Sequence, residues 1–139
     1  MALTDPRLSP VETVTLVLRV LMEVGIVAGL AYWGVQAGSG TRESILLGLA
    51  APAIAFGFWG AVDFHQAGRL AEPLRLVQEL VVSGLAALAL FAAGRPLLGA
   101  LLGALSVVYH ALVYAGGGRL LKPREPEVVA PARGGTARG

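Results

Sequence analysis

Two pairs of opposite charge sit inside long apolar runs of this 139-residue chain. Arg19 and Glu23 are four residues apart, and so are Arg75 and Glu79. On an α-helix that spacing puts both side chains on one face, a turn apart. An ionisable group near the centre of a bilayer costs roughly 3 kcal/mol. Four such groups therefore either neutralise one another and fix helix register, or serve chemistry in a site closed to lipid. The chemistry open to them is acid–base work. Glu23, Glu79 and Asp63 are the candidate acids, because a carboxylic acid shielded from water can hold a proton and deliver it to an alkene or epoxide. Arg19, Arg75, His110, Trp59, Tyr109, Tyr114 and Ser83 are the candidate binding residues, with aromatic faces able to stabilise a neighbouring cation. Asp63-Phe64-His65 is a poor metal site, since side chains at i and i+2 diverge on a helix. No metal and no cofactor are expected. With no cysteine there is no thiol nucleophile, disulfide framework or Cys-based metal site. Gly-rich phosphate loops, a nucleophile elbow and HExxH are also missing from the sequence.

The elements that must position these residues are membrane helices. The chain is 55% hydrophobic and 14% charged, with a mean hydropathy of +0.70. A soluble domain carries about 25% charged residues. Residues 1–9 form a polar N-terminal segment, 10–118 a membrane domain and 119–139 a flexible tail rich in Pro, Gly and charge. Four helices are predicted at about 10–37, 43–65, 73–93 and 96–115, forming an all-α bundle. Ser9-Pro10-Val11-Glu12 has the form of a capping box with Pro at the first helical position. Pro52 falls inside the second helix and predicts a kink near Gly48 to Pro52. Arg7, Arg69, Arg75, Arg119, Lys122 and Arg124 fall on the side that holds both termini, and Arg42 and Arg95 on the other. That asymmetry predicts a multi-pass protein of the bacterial inner membrane with both termini cytoplasmic. The basic residues sit near segment ends, which suits orientation and argues against nucleic acid as a partner.

The two halves resemble one another. Leu18-Arg19-Val20-Leu21-Met22-Glu23-Val24 returns 56 residues later as Leu74-Arg75-Leu76-Val77-Gln78-Glu79-Leu80. Ile45-Leu46-Leu47-Gly48 returns as Pro96-Leu97-Leu98-Gly99, at an offset of 51. Two helices per repeat keep both copies in one orientation, so the pseudo-twofold axis is expected along the membrane normal. The first and third helices then face each other across it. Gly25/Gly29 and Gly99/Gly103 are small-xxx-small pairs that favour close helix packing.

Each helix carries a polar or aromatic stripe. These are Glu12, Thr15, Arg19 and Glu23; Phe56, Trp59 and Asp63; Glu72, Arg75, Glu79 and Ser83; and Ser106, His110 and Tyr114. Their spacing lines one face of each helix. The expectation is one cluster of Arg19, Glu23, Arg75, Glu79 and His110, open toward the cytoplasmic leaflet, with Asp63 and His65 at its mouth.

Arg19/Glu23, Tyr32-Trp33-Gly34, Leu47-Gly48 running to Pro52, Trp59-Gly60, and Pro73-Leu74-Arg75-Leu76 with Glu79-Leu80 together resemble the YrdB family. The resemblance covers about residues 12 to 115. It implies a small four-helix bacterial membrane protein of unknown function and adds no reaction. Asp63-Phe64-His65-Gln66 departs from the more basic linker expected of that family. Three functions fit the residues. One is a non-catalytic module that binds membrane lipids or a partner, with a homodimer as one assembly. Another is a membrane-bound terpenoid cyclase acting on an isoprenoid-like ligand. The last is proton-coupled transport of a small molecule through Glu23 or Glu79, against which stands the arginine already paired to each acid.

Overall fold

The computed structural model describes residues 9–117, apart from the side chain of His65. The polar segment before Ser9, the tail, and Arg7, Arg119, Lys122 and Arg124 lie outside the described residues. Four helices follow one another: α1 Pro10–Ala37, α2 Thr41–Ala61, α3 Ala71–Ala92 and α4 Pro96–Ala115. No strand occurs among the described residues.

The local chemistry sets the ends. The Ser9 hydroxyl accepts from the Glu12 N–H at 3.2 Å, and the Ser9 N–H donates to the Glu12 carboxylate at 2.8 Å, so the capping box is complete. After Ala37 a short turn is closed by Glu43, whose carboxylate accepts from the Ser39 N–H at 2.9 Å and from the Ser39 hydroxyl. α2 runs unbroken through Pro52 but stops at Ala61, short of the predicted end. Beyond it Asp63, His65 and Gln66 interrupt the apolar run. The chain instead makes 3₁₀ turns at Phe64–Leu70, interrupted at Gly68 with φ 58°. α3 starts at Ala71, which leaves Pro73 in the first turn, where its missing N–H costs nothing. α3 ends on Gly94, at φ 73°, with the Arg95 N–H donating to the Leu90 carbonyl and the Gly94 N–H to the Phe91 carbonyl. That pairing satisfies two of the carbonyls a helix end leaves open.

α1 and α3 form the central pair. α2 packs on α1, α4 packs on α3 and on α1, and α2 meets α3 only lightly. The first and third helices thus face each other as the repeat predicts. Met22, Ile26 and Leu30 of α1 are buried against the seam, and their counterparts 56 residues on, Gln78, Val82 and Ala86, are buried in α3. The closest approach lies within the first hairpin. A Cβ on Gly34 would strike the backbone of Leu47 and Gly48. Gly25 and Gly29 pack under Leu102 and Leu90, while Gly103, expected to permit packing, has nothing near it.

Two lateral grooves flank the central pair. One, of about 470 Å³, lies between α1, α3 and α4; the other, of about 450 Å³, between α1, α2 and α3. Four of their lining residues correspond under the repeat. Gly29, Tyr32, Leu102 and Leu105 of the first match Leu85, Leu88, Ala51 and Ile54 of the second.

The surface is inverted relative to a water-soluble protein. Leu49, Ile54 and Leu97 are about 70% exposed, while Gln78, Glu79, Ser106 and His110 are buried. In water such an apolar outside would be costly, whereas hydrocarbon solvates it freely. All four helices are long and apolar enough to cross a membrane, and an even number of crossings returns the chain to the side it started from.

Candidate polar site between the helices

The site is built from the start of α3. Arg75 and Glu79 lie a turn apart, and the Arg75 Nε donates to Glu79 Oε1 at 2.9 Å. The Arg75 Nη1 also donates to Gln78 Oε1 at 3.1 Å and to the Trp59 carbonyl at 3.3 Å. Its guanidinium carbon stands 5.4 Å from the centroid of the Trp59 ring, a cation–π distance. Gln78 in turn donates through Nε2 to the Phe58 carbonyl at 3.0 Å. The last carbonyls of a helix lack a helical N–H four residues on, and α3 supplies donors to two of those of α2.

On the opposite side Glu79 meets α4. Its second oxygen, Oε2, is 3.1 Å from His110 Nε2. His110 Nδ1 is 2.7 Å from the Ser106 carbonyl oxygen. A carbonyl can only accept, so Nδ1 carries a proton. The contact between Nε2 and a carboxylate oxygen requires another, shared by Glu79 and His110. The Ser83 hydroxyl donates to the Glu79 carbonyl at 2.9 Å, so in its 2.8 Å contact with Ser106 the Ser106 hydroxyl is the donor. Glu79, His110, Ser106 and Ser83 thereby close a ring of hydrogen bonds that joins α3 to α4. Tyr109 is buried and stands edge-on to His110, with ring centroids 5.0 Å apart.

The first repeat reproduces half of this. The Arg19 Nε donates to Glu23 Oε1 at 2.9 Å, the same atoms and distance as Arg75 and Glu79. Here the side chains are 43% and 34% exposed, against 18% and 4% in the second pair. Arg19, Glu23 and Arg75 line one cleft of about 310 Å³ with Phe56, Trp59, Gly60 and Val62. Two arginines and two glutamates cancel, and the proton shared by Glu79 and His110 leaves the assembly with one net positive charge.

Of the residues expected to cluster, Arg19, Glu23, Arg75, Glu79 and His110 are brought together, and Trp59, Tyr109 and Ser83 join them. Asp63 lies beyond the end of α2 and is exposed, outside the lining of the cleft. His65 has no described side chain. Tyr114 stands apart, with its hydroxyl donating to Glu72 at 3.3 Å. Sequence reasoning missed Gln78, whose only signal was an amide in a buried apolar run where the other copy has Met22. It also missed the pairing of Arg95 with Tyr32, whose hydroxyl accepts from the Arg95 Nε at 3.1 Å. Among the described residues no group of three His, Asp or Glu is placed to hold a metal ion. The Trp59 Nε1 is buried without a hydrogen-bond partner.

Four apolar helices around an internal polar ring define a helical membrane bundle. The chain belongs to the family described as protein of unknown function (DUF2568), which it matches over residues 17–107. That stretch takes in both charge pairs and stops just short of His110. No curated protein and no solved structure matches the chain.

Proposed function

We propose that this protein is a non-catalytic membrane module. The Arg75–Glu79–His110 network fixes α2, α3 and α4 in register, and the cleft beside it receives an anionic group from a lipid head group or a partner. The observation that carries this reading is the state of Glu79. Both of its oxygens are engaged, one by Arg75 and one by His110, and the side chain is buried. A general acid needs a proton aimed at substrate, and Glu79 has no oxygen left to aim. The net positive charge and the half-exposed Arg19 favour an anionic guest. The motifs from Arg19 to Leu80 resemble those of the YrdB family, and that resemblance supports setting the chain beside it. On that reading it sits in a bacterial inner membrane with both termini cytoplasmic, as the positions of the arginines suggest.

A second reading rests on Glu23. It shares the cleft with Phe56 and Trp59, an acid beside aromatic faces, which is the arrangement an isoprenoid cyclase would use. The test is turnover of a prenylated substrate by the purified protein and by Glu23→Gln, Glu79→Gln and Asp63→Asn. The module reading predicts no turnover by any of them and a stability loss concentrated at Glu79. Turnover by the wild type that Glu23→Gln abolishes would overturn it in favour of the cyclase.

A further inference from the structure

The two lateral grooves are related by the repeat, yet they differ at one end. In the α1/α3/α4 groove, Tyr32 and Arg95 stand at the mouth. Their counterparts under the repeat are Leu88, which lines the other groove, and Ser44, which does not, and no charged residue lines that groove. Arg95 is held in place twice. Its Nε donates to the Tyr32 hydroxyl at 3.1 Å, and its guanidinium carbon lies 5.5 Å from the Tyr32 ring centroid. The bond uses Nε, Arg95 is exposed, and its two Nη groups are able to meet a phosphate with paired hydrogen bonds.

The rest of the groove is apolar. Its floor on α1 is made of small residues, Gly25, Ala28 and Gly29, and its wall on α4 of leucines such as Leu98 and Leu102. It extends along α1 from Leu21 to Tyr32. The eleven helical rises between them measure about 16 Å, close to the roughly 15 Å of one hydrocarbon leaflet. The groove is therefore as long as a leaflet is deep, with one cation at the head-group end.

We propose that this groove is a binding site for an anionic phospholipid of the leaflet on the Arg95 side. One acyl chain lies along Gly25, Ala28 and Gly29, and the phosphate is gripped by Arg95. The site is distinct from the Arg19 cleft and stands without it. A zwitterionic lipid satisfies the groove equally well but brings its own cation to the phosphate, so the arginine selects against it. The matching groove on the other side accepts acyl chains with no such selection.

The experiment is native mass spectrometry of the full-length protein in detergent, titrated separately with phosphatidylglycerol and phosphatidylcholine. The wild type is expected to bind the first phosphatidylglycerol at least fivefold more tightly than phosphatidylcholine. Arg95→Gln removes that preference and Arg95→Lys keeps part of it. Arg42→Gln, at the same end of the bundle, leaves it intact. Ala28→Phe fills the groove and weakens the first binding step without touching any charge, so the site is tested even if Arg95→Gln does not fold. Equal affinity for the two lipids in the wild type overturns the proposal. So does a preference that survives Arg95→Gln or disappears in Arg42→Gln.

Discussion

Replacing Glu79 by alanine should be far more damaging than replacing Glu23, although the two glutamates are equivalent in the repeat. Glu79 accepts from Arg75 at 2.9 Å and contacts His110 at 3.1 Å, and it is almost wholly buried. Removing one member of a buried pair strands the other charge, which in soluble proteins costs about 3–5 kcal/mol. Membrane interiors temper this, since a single interhelical hydrogen bond there averages about 0.6 kcal/mol and reaches about 1.7. Arg75 would also keep Gln78, the Trp59 carbonyl and the Trp59 ring. Two lost contacts and a stranded histidine place Glu79→Ala near the lower end of the soluble range, about 3 kcal/mol. The Arg19–Glu23 pair is half-exposed, and such helix pairs contribute about 0.5 kcal/mol. The gap of about 2.5 kcal/mol is nearly two decades in the unfolding equilibrium constant. It is read by titrating each variant from mild detergent into sodium dodecyl sulfate and following helix content and tryptophan emission. Glu79→Gln, which can still accept from Arg75 and donate to a neutral His110, should fall between. If Glu23→Ala costs as much as Glu79→Ala, the buried ring does not hold the bundle and the reasoning fails.

Two further outcomes use the same titration, and a third is read by hydrogen exchange. Gly34→Val drives a side chain into the Leu47–Gly48 backbone and should cost about 1–3 kcal/mol, whereas Gly103→Ala, facing open space, should be neutral. Ser83→Ala and Ser106→Ala should each cost about 1 kcal/mol, and the double variant should cost less than their sum because they share one hydrogen bond. Gln78→Leu leaves the Phe58 carbonyl without its donor; hydrogen exchange should then rise at the end of α2 while α4 stays protected.

The fold was legible because two independent signals agreed. Apolar runs gave four helices, and the recurrence of Arg-x-x-x-Glu placed α1 opposite α3 before any coordinates. The capping box at Ser9 was readable for the same reason, as its donors and acceptors are three residues apart in the chain. What could not be read was contact between distant segments. Gln78 looked like a chance amide because its importance lies in a carbonyl 20 residues earlier, at the end of another helix. Arg95 and Tyr32 are 63 residues apart, and no local spacing links them. Val62 and Phe64 extend the apolar pattern past the end of α2, but the helix stops at Ala61, ahead of the acid at 63, and the chain continues in 3₁₀ turns.

The difference between the two halves explains why one charge pair is buried and its copy is not. At the offset that aligns α2 with α4, His110 corresponds to Trp59. In the second hairpin the α4 position supplies a histidine, which reaches across to Glu79 and closes the ring through Ser106 and Ser83. In the first hairpin the α2 position supplies an indole, whose Nε1 makes no hydrogen bond and whose face meets Arg75 of the other repeat. Glu23 therefore gains no second partner and stays in the cleft, while Glu79 is drawn out of it. One substitution between related helices thus separates a pair that braces the bundle from a pair left accessible. Installing histidine through Trp59→His should pull Glu23 inward and cost Arg75 its aromatic neighbour. A double-mutant cycle of Trp59→His with Glu23→Gln reads the new contact as a coupling of about 0.6–1.7 kcal/mol. Zero coupling in a folded variant would show that the asymmetry comes from helix placement rather than from this one position.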